Sequence, residues 1–374
     1  MRQYSRVVVK AGTSLLTGGT DELDRDMIGD IVKQIGLLHS EGLEMLLVTS
    51  GAVAAGKGVY LRHLPSNNVL PSKQILAAIG QSRLMQVYEE EFNSYGIPSA
   101  QALLSHRDVH DRIGYLNLRS TLSGLLEHRI VPVINENDVV AIDELSDSIF
   151  GDNDNLSALV TNIVDGDLLI ILGQVEGMFT KDPNIYEDAK IIPVVERSEQ
   201  IPEVSLGPSS DSMGRGGMFT KLDAAKLATS SGADVVIASG HQESVISRLV
   251  GGEKIGTFFH SSVTKLESRK RWMLSSMSNK ASIIVDNGAS AAILNNHSSL
   301  LPAGIVRCLG DFERGEIISI RNLREERLAI GIANYKSVDV ENIKGLKSDS
   351  IESVLAFQLG DEVVHRDNMV LSGE

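Results

Sequence analysis

The chain has 374 residues, 42% hydrophobic and 22% charged, the make-up of a globular protein long enough for about two or three domains. Its 49 acidic and 35 basic residues give a formal charge of −14, which argues against non-specific attraction to nucleic acid or to anionic membrane surfaces. The single cysteine, Cys308, excludes an intramolecular disulfide and a thiol-rich zinc site, and it fits a reducing compartment.

The opening stretch, MRQYSRVVVK, reaches only three consecutive valines before Lys10, so neither a signal-peptide core nor a membrane span is expected there, and the expected location is the cytoplasm. RVVV at 6–9 is the first of several short aliphatic runs, followed by MLLV at 45–48, VPVI at 131–134, LLIIL at 168–172 and VVIA at 235–238. None alternates with polar residues, which predicts strands covered on both faces. Helical stripes lie between them: Ile28, Ile31, Ile35 and Leu38, closed by Gly42; then Leu76, Ile79, Arg83 and Val87; then Leu118, Leu122 and Leu125. Alternating strands and helices predict a mainly parallel sheet wrapped in helices. The pattern changes near residue 260, where TKLESRKRW at 264–272 reads as a linker, and SIIV at 282–285, EIISI at 316–320 and RLAIGIA at 327–333 predict a small β-rich domain.

Five stretches put small or polar residues where an open parallel sheet binds ligands: KAGTS at 10–14, TSGA at 49–52, NEND at 135–138, GDNDNLSA at 151–158 and GRGGMFTK at 214–221. Glycine lets backbone N–H groups approach phosphate oxygens, and a following helix N-terminus adds partial positive charge. Singly, Gly12 or Gly51 reads as a turn residue, Lys10 as a solvated charge, and Asp152 as a helix cap as readily as a ligand. Together they read as a phosphate site, although GRGGMFTK departs from the P-loop spacing because Thr220 precedes Lys221. The histidines lack metal-ligand spacing; HRDVHD at 106–111 is the best metal candidate and reads better as a polar turn. No Ser-His-Asp arrangement is visible, and a glycosidase reading of the NEND and GDND carboxylates leaves the lysine and glycine loops unexplained.

In their order, VVVKAGTSLL, VTSGAVAAG, SKQILAAIGQSRLM, VPVINENDVVA, GDNDNLSALV and GRGGMFTKLDAA resemble the glutamate 5-kinases of the amino-acid kinase superfamily over roughly residues 1–260, and the C-terminal region resembles a PUA domain. The resemblance implies an αβα sandwich at 1–260, a linker at 261–279 and a PUA-like domain at 280–374. It implies transfer of the γ-phosphate of ATP, with Mg²⁺, to the side-chain carboxylate of L-glutamate, the first step of proline biosynthesis. L-proline feedback and a homo-oligomer are implied as well.

Carried over by residue, Lys10 and Lys221 face the transferring phosphoryl group and Asp154 orients both. Ser50, Gly51, Asn135, Asp138 and Asn153 bind glutamate, with Gly12 and Gly51 supplying backbone N–H groups. Arg215, Gly216, Gly217, Met218, Phe219, Thr220 and Lys221 form a loop over the nucleotide phosphates. Gly173 and Gln174 stand near the nucleotide where members usually carry threonine and aspartate. Glutamate's side chain is ionised at neutral pH, its free pKa being about 4.3, so no general base is needed, and the site must instead supply positive charge and alignment. Two rival readings remain: a kinase of another amino acid, acetylglutamate or a nucleoside monophosphate, and an RNA-binding protein acting through its tail. The tail counts against the second, with 10 Lys or Arg against 14 Asp or Glu from Lys280 onward.

Overall fold

The computed structural model of the protein describes residues 4–63, 71–105, 108, 112–140, 153–183, 185–196, 217–261, 263–265 and 281–372. The chain forms two compact units, Met1–His110 with Asn117–Lys265, and Asp111–Leu116 with Leu266–Glu374.

The first unit is built on an eight-stranded sheet. In chain order its strands are β1 (Arg6–Ala11), β2 (Glu44–Val48), β3 (Ser99–Leu104), β4 (Val131–Glu136), β5 (Leu168–Gly173), β6 (Val194–Val195), β7 (Asp234–Ser239) and β8 (Thr257–Phe259). Across the sheet the order is β3-β4-β2-β1-β5-β7-β8-β6, and every pairing is parallel except β7 with β8. The aliphatic runs are the central strands. β5 is buried along its whole length, and β1 is buried at every position after Arg6, because helices cover both faces.

Seven helices connect these strands among the described residues: α1 (Thr13–Leu16), α2 (Arg25–Ser40), α3 (Ala52–His63), α4 (Lys73–Ser94), α5 (Arg112–Glu127), α6 (Asn153–Ile163) and α7 (Met218–Ser230), before the short α8 (Val245–Val250) that precedes β8. The side chain of Asp24 caps α2 by accepting from the amide of Met27 at 3.0 Å, and Gly42, with φ +99°, turns the chain out of it as its spacing predicts. Ile28, Ile31, Val32, Ile35 and Leu38 are its buried face. Each such side chain contributes about 1.5–3 kcal/mol of burial before chain entropy is set against it.

Two predicted faces are corrected. In α4 the buried positions are Leu76, Ala77, Gly80, Leu84, Val87, Tyr88 and Phe92, while Arg83 is exposed; in α5 Leu126 takes the deep position expected of Leu125. The face of α4 is set by its crossing with α3. A Cβ on Gly80 would lie 1.9 Å from the carbonyl oxygen of Ala52, and one on Gly56 would lie 1.8 Å from that of Leu76, so only glycine lets the two backbones touch.

The second unit carries a five-stranded sheet, ordered β10 (Ile305–Leu309), β9 (Ser282–Val285), β11 (Ile317–Arg321), β12 (Arg327–Ile332) and β13 (Met369–Leu371). β9 and β11 run parallel and the other pairs antiparallel. Its core gathers Ile283, Val285, Ile293, Ile318, Ile320 and Tyr335, whose hydroxyl donates to the carbonyl of Gly360 at 2.6 Å and accepts from the amide of Leu359 at 2.8 Å. The predicted αβα sandwich with a mainly parallel sheet, followed by a small β-rich domain, is the observed architecture.

Candidate active site

β1 lies at the centre of the large sheet, and Lys10 is its fifth residue, in register with Val48 of β2 and Ile171 of β5. Its ammonium stands 2.5 Å from Oδ1 of Asp154, the second residue of α6. The other oxygen of that carboxylate, Oδ2, accepts from Lys221 Nζ at 2.9 Å and from the Thr220 hydroxyl at 3.0 Å. Both donors lie in the first turn of α7, so three separate segments meet at one carboxylate.

Asp154 is 0% exposed, Lys10 4% and Lys221 9%. Burial alone disfavours the ionised carboxyl, but the charges and hydrogen bonds of Lys10 and Lys221 outweigh it and hold Asp154 below its ordinary range. The N-terminal end of α6 favours the same charge. Two ammonium groups against one carboxylate leave a net positive charge suited to an anionic ligand.

A second cluster, neutral and made mainly of amides, begins at the residue before Asp154. Asn153 Nδ2 donates to the carbonyl of Thr49 at 2.8 Å, to Ser50 Oγ at 2.8 Å and to Asn135 Oδ1 at 3.0 Å. Asn135 Nδ2 donates in turn to Gln81 Oε1 on α4 at 2.8 Å. Behind this row the fully buried Tyr88 Oη is 2.7 Å from Thr49 Oγ1, and burial pushes its phenol up, keeping it neutral. Two polar atoms of the cluster, Gln81 Nε2 and Asn153 Oδ1, are cut off from solvent with no hydrogen-bond partner among the described residues. An unmet buried polar group costs about 1–3 kcal/mol, so this donor and this acceptor are the unsatisfied groups of the cluster.

Residues 5–239 match the amino acid kinase family, and residues 281–355 match the PUA domain. A glutamate 5-kinase of Dehalococcoides mccartyi (strain ATCC BAA-2266 / KCTC 15142 / 195) is 48% identical over 370 residues, covering 98% of each chain. One from Photorhabdus laumondii subsp. laumondii is 45% identical over 373 residues, covering 100% of each. The chain belongs to the glutamate 5-kinases of the amino acid kinase family.

Of the residues that the family resemblance singles out, this glutamate 5-kinase chain brings Lys10, Asp154 and Lys221 into one cluster and Ser50, Asn135 and Asn153 into the other. Gly51 has φ +98°, a conformation that favours glycine, and opens α3 beside Ser50. Asp138 lies in the turn just beyond β4, half-buried. Gly173 ends β5 beside Lys221: a Cβ there would be 3.4 Å from Lys221 Cε. Gln174 donates through Nε2 to the carbonyl of Ser14 at 2.9 Å, tying the end of β5 to α1.

Two expectations change. The backbone N–H of Gly12, expected to be offered to a ligand, donates to the carbonyl of Leu172 at 3.3 Å and is engaged there. The stretch expected to be a loop through Lys221 is helical from Met218, with Gly217 as N-cap, while Arg215 and Gly216 lie outside the described residues. The candidate HRDVHD also lies mostly outside them; among the described residues no three His, Cys, Asp or Glu side chains cluster as a metal site. No described helix is long and apolar enough to cross a membrane.

Gln81, Thr49, Tyr88 and the hydroxyl contact of Thr220 with Asp154 are the additions. Gln81 directly follows Gly80, whose contact with Ala52 holds this part of α4 against the start of α3.

Proposed function

We propose that the protein transfers the γ-phosphate of ATP to the side-chain carboxylate of L-glutamate, giving L-glutamyl 5-phosphate, the first step of proline biosynthesis. The observation that carries this reading is the Lys10–Asp154–Lys221 cluster, which concentrates positive charge beside a neutral, amide-lined corner. A carboxylate oxygen of glutamate attacks the γ-phosphorus while the bond from that phosphorus to the bridging oxygen breaks, and the electron pair leaves with ADP. The nucleophile is already ionised, so these residues have no proton to remove; they bring two anions together and hold them in line.

In this reading the ammonium groups of Lys10 and Lys221 stabilise the charge moving between the oxygens, and Asp154 fixes both. Ser50, Gly51, Asn135, Asp138 and Asn153 hold the amino acid, with the carboxylate of Asp138 paired with its α-ammonium. The N-terminus of α7, from Gly217 onward, offers its backbone N–H groups to the phosphates, and the family resemblance assigns Arg215 and Gly216 to the same role. Gly173 and Gln174 stand on the nucleotide side.

Mg²⁺ would neutralise phosphate charge. The described residues provide no cage for it, since the Asp154 oxygens are taken by the lysines and no acidic cluster stands free of them; the ion would be held chiefly by the phosphates and water. The reading extends, on family resemblance, to residues 1–260 as the catalytic domain, 261–279 as a linker and 280–374 as the PUA-like domain. It also extends to a homo-oligomer in the cytoplasm with L-proline as feedback inhibitor.

The test is to incubate the protein with ATP, Mg²⁺ and hydroxylamine, which traps an acyl phosphate as a hydroxamate, across a panel of glutamate, acetylglutamate, aspartate and UMP, with ADP release followed in parallel. Glutamate is expected to give hydroxamate and the fastest ADP release. Faster turnover of another member of the panel overturns the substrate.

A further inference from the structure

We infer that Gln81 is a substrate-binding residue whose Nε2 donates to the non-reacting α-carboxylate of the amino acid, an inference that rests on the function proposed for this site. The polarity of the amide row is set by one fixed point. The main-chain carbonyl of Thr49 can only accept, so the Asn153 atom 2.8 Å from it must be the NH₂. That NH₂ also reaches Asn135, which must therefore present its oxygen, at 3.0 Å. Asn135 is then left with its own NH₂ facing Gln81, and Gln81 must present Oε1, at 2.8 Å. The chain of constraints ends on Gln81 Nε2, a donor with no partner among the described residues and no access to solvent.

A buried donor left in this way is matched by an acceptor on the ligand, and the acceptors of an amino-acid substrate are its carboxylate oxygens. The row also indicates which carboxylate. Asn153 adjoins Asp154 in the chain and hence the lysine cluster, whereas Gln81 lies at the opposite end of the row, beyond Asn135. The reacting carboxylate belongs at the lysine end, which leaves the α-carboxylate for Gln81.

Two variants and one analogue separate this role from a purely structural one. Gln81→Met keeps the length of the side chain and removes both polar atoms; Gln81→Glu keeps an acceptor for Asn135 but replaces the donor by a charge that repels carboxylate. 4-Aminobutanoate is glutamate without its α-carboxylate. Gln81→Met is expected to raise the KM for glutamate roughly 10- to 100-fold, the range for losing a hydrogen bond to a charged group, with little change in KM for ATP. The same variant should leave the inhibition constant of 4-aminobutanoate within about twofold, and Gln81→Glu should raise the KM for glutamate more than Gln81→Met does. Equal losses for glutamate and 4-aminobutanoate, or a Gln81→Glu enzyme close to wild type, overturn the proposal and leave Gln81 only as a support for Asn135. Should the wild-type enzyme prefer another amino acid, the function reading fails by itself, and the same comparison is run on that substrate and its decarboxylated analogue. Circular dichroism and thermal melting check each variant; if Gln81→Met does not fold, the order of Gln81→Glu against wild type decides.

Discussion

The two clusters at the strand ends meet at consecutive residues, yet they are built from opposite materials. Around Asp154 the groups are charged, nearly all buried, and drawn from β1, α6 and α7. Around Asn153 they are neutral amides and hydroxyls from β4, α4, α6 and the loop after β2. A mobile negative charge is stabilised best by fixed opposite charge in a dry setting, whereas a small zwitterion is recognised best by donors and acceptors whose directions are locked. The first cluster should therefore govern turnover and the second affinity, and substitutions in each can break that division or sharpen it.

The largest effect is expected from Asp154→Asn, which leaves two buried ammonium groups without their shared partner. Loss of about 3–5 kcal/mol of stability in urea unfolding is expected, together with a fall in kcat comparable to that of the lysine variants. Because the folded carboxyl is held below its unfolded value of about 3.9, its contribution is complete above roughly pH 5 and fades as the pH falls through the folded value. The difference between wild type and variant in urea midpoint should therefore stay level from pH 7 to about 5 and narrow below about 4.

Alanine at Lys10 or Lys221 comes next, with kcat lowered roughly 10²- to 10³-fold and KM for either substrate changed much less, as read by steady-state kinetics. Arginine at either position should not restore the rate, because a planar fork cannot take the place of a compact ammonium. Near-normal kcat in a folded Lys221→Ala enzyme would remove the charged cluster from the chemistry and collapse the comparison.

Gly80→Ala tests the frame that carries the amide row. With only 1.9 Å between the new Cβ and the carbonyl of Ala52, the helices must separate, and about 1–3 kcal/mol of stability should be lost in thermal or urea unfolding. The KM for glutamate should rise with it, since Gln81 moves with the backbone of α4. The smallest effect is assigned to Asp138→Ala: a rise of about tenfold in KM for glutamate, equivalent to about 1.4 kcal/mol, with KM for ATP steady. A rise for ATP instead would place Asp138 on the nucleotide side.

Much of the fold is legible in the sequence because the central strands are uninterrupted aliphatic runs, a pattern that double-sided burial demands. Strand β3 is not, because it is an edge strand of small and polar residues, SAQALL, partly open to solvent; β6 and β8 are too short to show a period. The charged cluster can be named only through the order of motifs that the family shares. Lys221 and Asp154 stand 67 residues apart, and no local spacing announces that they touch. Gln81 is hidden by a misplaced face. A stripe through Leu76, Ile79, Arg83 and Val87 leaves out of account that a glycine can be the most deeply packed residue of a helix, and the true line through Gly80 and Leu84 turns Gln81 toward the site.

The junction of Asn153 and Asp154 constrains the length of the chain as well as its chemistry. If one residue grips the amino acid and the next organises the phosphoryl transfer, their spacing is set by a single trans peptide, about 3.8 Å between Cα atoms, close to the roughly 3–3.5 Å at which reacting atoms must meet. Each residue added to a helix rotates the remainder of that helix by about 100°. An insertion of one residue between these two positions would therefore aim the halves of the reaction at different parts of space, however well every side chain was preserved. This stretch can absorb a change of letter, but not a change of count.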